Sequence, residues 1–347
     1  MYRESGVSRV VGIPREEGKK EEEKEKDLLE VFKDQFEREV RHPLEQEHSA
    51  ELQEAISQAN QCLKEFMASY GVEWLDIPPR NIHIVDISGL DPTVHKKMKE
   101  SNQNTKGRFI SKEQQIFIYS DYNQGSKLKF FGTLIHEMLH ANSFQSFQKT
   151  PEGKGVDELA LSHEKEDGSQ ENLFLGMRRI GLNLINKEGN GFFHKIDEAI
   201  IEELNIRFFN DSYLDRIPAL QDEVKLRQGV LEGTKDKEKF GRKIQHVSRE
   251  SIPGSDQSTY HIYPFSYKDE RKRLNGLIRD LFQKNQDRFA SREDVFQLFV
   301  DACMKGRLLP LARLFEHTEG YGPGSFRKLG EETIQKRRSL EENKEEK

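Results

Sequence analysis

Apolar residues recur every three or four positions in several parts of the chain, which is the spacing of a helix face buried against a core. Two helices are predicted between residues 28 and 70, separated at Pro43, and another begins after Ser126. A further helix is predicted over residues 195–210, and two more between residues 267 and 317. The pattern therefore indicates helices along much of the chain.

Alternating apolar and polar positions predict a smaller number of strands. Residues 81–87 and 115–120 show this alternation, and residues 173–185 contain two glycines and an arginine pair, which favours a strand or hairpin over a helix. The polar residues 148–172 are predicted to form a loop or flap, and the polar residues 216–258 a short helix with a mobile loop. Helices combined with a few strands indicate an α+β protein.

The same patterns predict how the chain is organised into parts. The N-terminal residues end in a run of mixed charge with no apolar side chain to bury, which is typical of a disordered tail. The predicted parts are a charged tail at 1–26, a core with N-terminal helices at 27–215, a polar linker or flexible insertion at 216–258, a helical region packing on the core at 259–335, and a second charged tail at 336–347.

The composition is polar and almost balanced in charge. Charged residues make up 33% of the chain and hydrophobic residues 34%, so helices with broad solvated faces or unfolded segments are expected. The chain contains 61 acidic and 55 basic residues, so its formal net charge is −6. A chain of this balance gives no reason to expect nucleic acid or a membrane as a partner.

Cysteine usage and the lack of long apolar runs predict the compartment. Cys62 and Cys303 lie far apart in apolar helical contexts without metal-ligand spacing, which predicts two buried, reduced thiols. Nowhere do about 18 apolar residues follow one another, and the first residues do not form the core of a signal peptide. We therefore expect a soluble, cytoplasmic protein.

Two histidines and a glutamate in the helix after Ser126 suggest chemistry. His136 and His140 are four residues apart, so both imidazoles lie on one helix face and can share a zinc ion. Glu137 directly follows the first histidine and can act on a metal-bound water. Because a catalytic zinc takes three protein ligands and one open position, a third ligand must come from elsewhere in the chain.

The predicted helix at residues 195–210 offers carboxylates for this purpose. Glu198 and Glu202 are one helical turn apart, so one suits the metal and the other a hydrogen bond to a ligating imidazole. Two histidines are alternative third ligands: His163, which lies 23 residues after His140, and His194, which lies just before this helix.

Together the two motifs resemble those of the gluzincin zinc metallopeptidases. Their thermolysin-like core carries His-Glu-x-x-His on an active-site helix and Asn-Glu-Ala followed by a second acidic residue on a later glutamate helix. This chain has Asp197 where asparagine is common, then Glu198 and Ala199, and Glu202 at the second acidic position. The resemblance covers about residues 81–212. It implies a zincin-like α+β fold, in which a small, mainly antiparallel sheet packs on these two helices, with additional N- and C-terminal helices.

The resemblance also implies a role for each residue. His136, His140 and Glu198 would bind one Zn²⁺ per chain, Glu137 would be the general base, and Glu202 would orient a ligating imidazole. The implied reaction is the zinc-dependent hydrolysis of a peptide bond in a peptide or protein substrate.

The sequence also offers candidates for the oxyanion donor and leaves three alternative functions open. Tyr263 and Tyr267 are the candidates for stabilising the oxyanion of the reaction. One alternative is an inactive zincin that serves as a binding module. A second, with His163 as a ligand, resembles the SprT-like proteases, which act on DNA-bound proteins. A third is an all-helical interaction protein, in which Glu198 would lie far from the two histidines.

Overall fold

Helices and short strands follow one another along the chain and form a mixed α+β protein with small, mostly antiparallel sheets. The structure is a computed structural model and describes residues 8–11, 45–85, 106–119, 125–153, 155, 158–164, 170–251 and 258–334. Within these residues, no helix has both the length and the apolar composition needed to cross a membrane.

The elements are numbered in chain order over the described residues. The α-helices are α1 (Ala50–Ser69), α2 (Lys127–Ala141), α3 (His194–Asn210), α4 (Gln221–Glu232), α5 (Lys237–Gly241), α6 (Lys268–Lys284), α7 (Arg292–Lys305), α8 (Leu308–His317) and α9 (Ser325–Glu332). The strands are β1 (Ser8–Val11), β2 (Ile82–Ile84), β3 (Gly107–Ile110), β4 (Gln115–Ile118), β5 (Gln145–Lys149), β6 (Leu159–Glu164), β7 (Gln170–Ile180), β8 (Asn183–Ile185), β9 (Gly191–Phe192), β10 (Ile244–Ser251) and β11 (Ser258–Pro264).

The chain divides into two compact units, and the boundary falls within helix α3, after Ile200. The first unit contains residues 143–200, the described residues from 269 onward, and β1. Its sheet has the strand order β1-β5-β7-β8-β9, and β6 also pairs with β7. The pairing of β1 with β5 is parallel and the other pairings are antiparallel. Fully buried aromatic side chains of this unit include Phe147, Phe296, Phe299 and Phe315.

The second unit contains the described part of residues 35–142 together with residues 201–268. It has a three-stranded sheet in the order β2-β4-β3 and a two-stranded antiparallel ribbon formed by β10 and β11. Helices α1 and α2 belong to this unit, as does the C-terminal half of α3. Its fully buried side chains include Leu52, Ile56, Leu63, Phe131 and Phe208.

Helix α2 begins where the sequence predicts, because two side chains satisfy its first amide groups. Ser126 is the N-cap, and its side-chain oxygen accepts a hydrogen bond from the Lys129 amide at 3.2 Å. The Glu223 carboxylate accepts hydrogen bonds from the amides of Lys127 and Leu128 at 2.7 and 3.0 Å. A negative charge at this end also complements the helix dipole.

Asp197 stabilises the first turn of helix α3 through contacts within the first unit. Its Oδ1 accepts hydrogen bonds from the Leu182 amide at 2.6 Å and from the Cys303 thiol at 3.4 Å. Gly181 has a φ of +57°, and a Cβ atom there would lie 2.3 Å from Asp197 Oδ1. The aspartate therefore needs a glycine at the β7–β8 turn. Burial, together with the neighbouring Asp197, holds the pKa of the Cys303 thiol well above its usual range.

Several predicted elements are confirmed. The strands predicted within residues 81–87 and 115–120 are β2 and β4, and residues 173–185 form the hairpin of β7 and β8. The helix predicted over residues 195–210 is α3. Helix α7 begins with a capping box formed by Ser291 and Asp294, as their spacing predicts. Both cysteines are free and buried.

Two predicted loops are wrong. Residues 148–172 contain the whole of β6, which forms a continuous antiparallel ladder with β7, so backbone hydrogen bonds stabilise a strand that its polar composition does not predict. Residues 216–258 contain the predicted short helix, α4, but also strand β10 where a mobile loop or polar linker is predicted. Widely spaced apolar residues of this stretch bury together, namely Leu231, Ile244 and Val247.

Other predictions concern residues outside the described part of the chain. These are the first predicted helix, between residue 28 and Pro43, and the tail at 336–347. Of the predicted tail at 1–26, the structure describes Ser8–Val11, and these residues form strand β1 instead of remaining unstructured.

Candidate metal centre

The two histidines of helix α2 direct nitrogen atoms at each other. His136 Nε2 and His140 Nε2 are 3.2 Å apart, and the ring planes are inclined at 68°. Two ligands at about 2.0–2.1 Å from a tetrahedral zinc ion are separated by about 3.3 Å. The spacing of the two nitrogen atoms therefore fits a shared zinc ion.

Glu198 on helix α3 completes a group of three potential ligands. One ligand atom from each of His136, His140 and Glu198 lies within 4.8 Å of the other two. Two imidazoles and one carboxylate form a donor set that is common at catalytic zinc sites. The sheets of the fold contradict the alternative of an all-helical protein, and Glu198 does not lie far from the two histidines as that alternative requires.

Glu202 fixes the orientation of His136. Its Oε2 accepts a hydrogen bond from His136 Nδ1 at 3.0 Å and another from Asn205 Nδ2 at 3.1 Å, while Oε1 accepts from the Ser266 amide at 2.8 Å. Because Nδ1 of His136 carries the proton in this arrangement, its Nε2 presents a lone pair to a metal. Glu202 therefore contacts the imidazole of a candidate ligand through a hydrogen bond.

The environment of Glu202 favours the carboxylate form. Burial raises the pKa of Glu202, but the hydrogen bonds from His136, Asn205 and Ser266 outweigh burial and hold the pKa below its usual range. Asn205 also donates to the Gly132 carbonyl of α2 at 3.0 Å. These contacts lie within the second unit, and Glu198 is one turn before Glu202 on the same continuous helix.

Glu137 is held by strand β3. Its Oε2 accepts a hydrogen bond from the Phe109 amide at 2.8 Å. The strand passes close to α2 at Gly107, where a Cβ atom would lie 2.7 Å from Thr133 Cγ2 and 2.9 Å from Glu137 Cγ. Glu137 is 8% exposed, so its side chain is largely shielded from solvent. The structure thus holds this side chain against strand β3.

The two tyrosines proposed as oxyanion donors occupy different places. The ring of Tyr267 stacks on His136, with centroids 5.5 Å apart and planes at 7°, and its backbone has a φ of +52°. The ring of Tyr263 stacks instead on His246, with centroids 4.3 Å apart. Of the two, Tyr267 is therefore the one that lies against a candidate ligand.

The two alternative third ligands lie on different elements. His194 lies at the start of α3, and its Nδ1 is 3.8 Å from Glu198 Oε1, which places it beside the candidate ligand rather than among the three. The backbone of His163 lies in strand β6, where it pairs with Glu171.

Several residues at the site are missed by the sequence patterns. Tyr119 lies near Glu137: burial raises the pKa of Tyr119, Arg108 lowers it, and Glu137 raises it. His246 is buried and carries an Nδ1 atom without a hydrogen-bond partner among the described residues. Burial lowers the pKa of His246 to about 4, with help from the nearby charge of Lys129 and Lys106. Each is a single residue, so only the tertiary structure shows its surroundings.

The low pKa of His246 predicts a loss of stability in acid. Between pH 7 and pH 5 the unfolded chain, with a histidine pKa of about 6.5, takes up a proton that the folded protein rejects. The free energy of unfolding should therefore fall by about 2 kcal/mol from this group. Urea unfolding at both pH values should show this loss in the wild type and a smaller one in His246→Gln.

A matched control is available on the neighbouring strand. His261 lies on β11 with an exposed side chain, so His261→Gln is the control for replacing a histidine of this ribbon that is not buried. Equal losses in the wild type and in His246→Gln would show that His246 titrates normally in the folded protein. The comparison between variants cancels the contributions of other groups.

Comparisons of the chain with family models, with curated proteins and with solved structures found no match. The two helices and the side chains that they bring together are therefore the basis on which a function can be proposed.

Proposed function

We propose that this protein is a zinc-dependent peptidase with a gluzincin-type site. The observation that carries the proposal is the group of His136, His140 and Glu198, whose ligand atoms lie within 4.8 Å of one another, with Glu137 next in sequence to the first histidine. The mixed α+β fold, with one helix carrying the histidines and another the glutamate, is consistent with a zincin-like arrangement.

The donor set leaves room for catalysis. Three protein ligands are the number found at catalytic zinc sites, where a fourth position takes water or substrate. A zinc ion bound there would lower the pKa of a water molecule and polarise the carbonyl group of the scissile bond. Glu202 supports this chemistry by holding His136 in the tautomer that presents Nε2.

Glu137 would move the protons of the reaction. Its carboxylate accepts a proton from the attacking water as the water oxygen forms a bond to the carbonyl carbon. It then delivers that proton to the amide nitrogen as the carbon–nitrogen bond breaks, which gives a carboxylic acid and an amine. The proton of the acid then passes to the amine, so that the products leave as a carboxylate and an ammonium group. The hydrogen bond from the Phe109 amide to Oε2 fixes the carboxylate in one orientation for both steps.

Strand β3 favours an extended peptide as the substrate. It is the edge strand of its sheet among the described strands. The Tyr119 amide donates to the Lys106 carbonyl at 2.8 Å, and with the observed strand pairing this bond directs the backbone groups of Gly107 and Phe109 away from β4. A strand edge whose backbone groups point away from the sheet, beside the candidate general base, is one to which a peptide backbone can add.

Metal content and cleavage together test the proposal. The protein purified at neutral pH without chelator should contain one zinc per chain and should cleave casein or a mixed peptide library. A chelator such as 1,10-phenanthroline should stop the cleavage, and added zinc should restore it. Protein without stoichiometric zinc would refute the proposal. Zinc without cleavage would instead support the alternative of an inactive zincin that serves as a binding module.

The close approach of β3 predicts the effect of a small substitution. In Gly107→Ala the new Cβ would overlap Thr133 and Glu137, so the carboxylate should be displaced and kcat/KM should fall by about 10–100-fold. Zinc content should not change. The matched control is Gly276→Ala, because a Cβ atom at that position meets nothing within 4 Å. Unchanged kcat/KM in Gly107→Ala would show that the position of Glu137 does not depend on this contact.

A further inference from the structure

Two lysines and a buried histidine form a basic cluster next to the candidate metal centre. The cluster consists of Lys106, before strand β3, Lys129 on helix α2, and His246 on strand β10. All three belong to the second unit, and the charges of both lysines act on His246.

Backbone contacts bring the three elements of the basic cluster together. Thr133 Oγ1 donates to the Lys129 carbonyl at 3.3 Å, and Thr133 Cγ2 would lie 2.7 Å from a Cβ at Gly107, the residue after Lys106. A Cβ at Gly132 would lie 2.0 Å from Nε2 of Gln245, the residue before His246. Strands β3 and β10 therefore both pass close to the same turn of α2, one turn before His136.

The positive charge of the cluster is not neutralised by an ion pair. Neither Lys106 nor Lys129 pairs with a carboxylate among the residues that the structure describes, whereas Lys127, on the same helix as Lys129, pairs with Glu51. Glu202 acts on Lys106 at longer range, but its oxygens already accept hydrogen bonds from three other groups. Two like charges that form no ion pair with the described residues, although the buried Glu202 acts on Lys106, are suited to an anion from outside the protein.

The surroundings of the cluster fit a carboxylate. The ammonium group of Lys106 is partly desolvated and lies near Lys129, and both effects lower its pKa. The imidazole of His246 is 3% exposed and stays neutral at pH 7, because its pKa is lowered to about 4. Its Nδ1 has no hydrogen-bond partner within the described part of the chain. An anion would relieve the repulsion between the lysines, and a carboxylate oxygen would accept a hydrogen bond from His246 in the tautomer that carries the proton on Nδ1.

We propose that the basic cluster binds a carboxylate of the substrate, supplied either by an acidic side chain or by the C-terminus of the peptide. The inference rests on the proposed peptidase function, because it assigns the cluster to substrate recognition beside the scissile bond. It predicts a preference for acidic peptides or for peptides with a free C-terminus close to the cleaved bond.

Binding to a variant that does not turn over tests the cluster apart from catalysis. The probes are four fluorescent peptides of one sequence, with glutamate or glutamine at one internal position and with a free or an amidated C-terminus. Affinities are measured by fluorescence anisotropy on full-length Glu137→Gln protein. They are measured again after adding either the double substitution Lys106→Gln and Lys129→Gln or the control substitution Lys127→Gln.

Either the glutamate probe should bind about tenfold tighter than the glutamine probe, or the probe with a free C-terminus should bind about tenfold tighter than the amidated one, as expected for charge-assisted hydrogen bonds. The double substitution should remove this difference, and Lys127→Gln should retain it. Comparing the glutamate probe with the free C-terminus identifies which carboxylate is bound. Equal affinities for all four probes, no measurable binding, or a preference that survives the double substitution would overturn the inference. Since both lysines are exposed, glutamine at these positions should leave the thermal unfolding temperature unchanged.

Zinc content and peptide cleavage, measured on the wild type, separate this inference from the proposed function. If the protein binds no zinc and cleaves nothing, the peptidase proposal fails, yet the affinities still report on the cluster. If it cleaves peptides but shows no preference for a carboxylate, the cluster assignment fails and the peptidase proposal stands.

Discussion

Replacing Glu137 with glutamine should lower kcat for peptide hydrolysis by about a thousandfold and leave zinc bound, since glutamine has the same shape but cannot accept the proton of the attacking water. Its amide oxygen can still accept the hydrogen bond that the Phe109 amide donates to Oε2, so the fold of the site should persist. The measurements are steady-state cleavage of a fluorogenic peptide and zinc content by atomic emission.

The control for this variant is a glutamate on the same sheet that does not face the site. Glu113 lies between β3 and β4, is partly exposed, and pairs with Lys112 at 3.7 Å. Glu113→Gln should therefore cleave the peptide at the wild-type rate. A Glu137→Gln protein that keeps its zinc and its full activity would remove this residue from the mechanism, and the proton would have to be moved by another group.

His140→Ala should lose most of its zinc, because two protein ligands hold the ion far less tightly than three. Zinc content after dialysis should fall from one per chain to nearly none, and Glu198→Gln should behave in the same way. Replacing the exposed His261 with alanine is the matched control and should not change the zinc content. A zinc content of one per chain in His140→Ala would show that the ion binds elsewhere.

Glu202 should have a smaller effect than the ligands. Its carboxylate contacts His136 rather than a metal, so Glu202→Gln should weaken zinc affinity by about 10–100-fold without abolishing binding. A competition titration with a zinc-binding dye measures this difference. An order of affinities with His140→Ala weakest, Glu202→Gln intermediate and wild type tightest would match the geometry of the site.

Features decided by neighbouring residues could be predicted from the sequence. The start of α2 at Ser126 and the capping box of Ser291 and Asp294 depend on side chains that bond to amides of the following turn. The placement of His136 and His140 on one helix face follows from their spacing alone. These local rules do not require knowledge of the rest of the fold.

Features decided by distant contacts could not be predicted. Strand β6 is stabilised by its ladder with β7, and nothing in its polar composition indicates this partner. Asp197 was identified by its place in a motif, but its bonds to Leu182 and Cys303 join residues that are 15 and 106 positions away. Likewise, the stacking of Tyr267 on His136 depends on how the connection from β11 to α6 returns to α2.

The hydrogen bond between Phe109 and Glu137 has a consequence for how a peptide can align. The Phe109 amide points away from β4 and is engaged by the Glu137 carboxylate. A peptide that adds to the edge of β3 therefore meets an engaged donor at this point, and its own carbonyl cannot pair there while Glu137 stays in place. Under the proposed mechanism, Glu137 would therefore set both the position of the peptide along the strand and the choice of the cleaved bond.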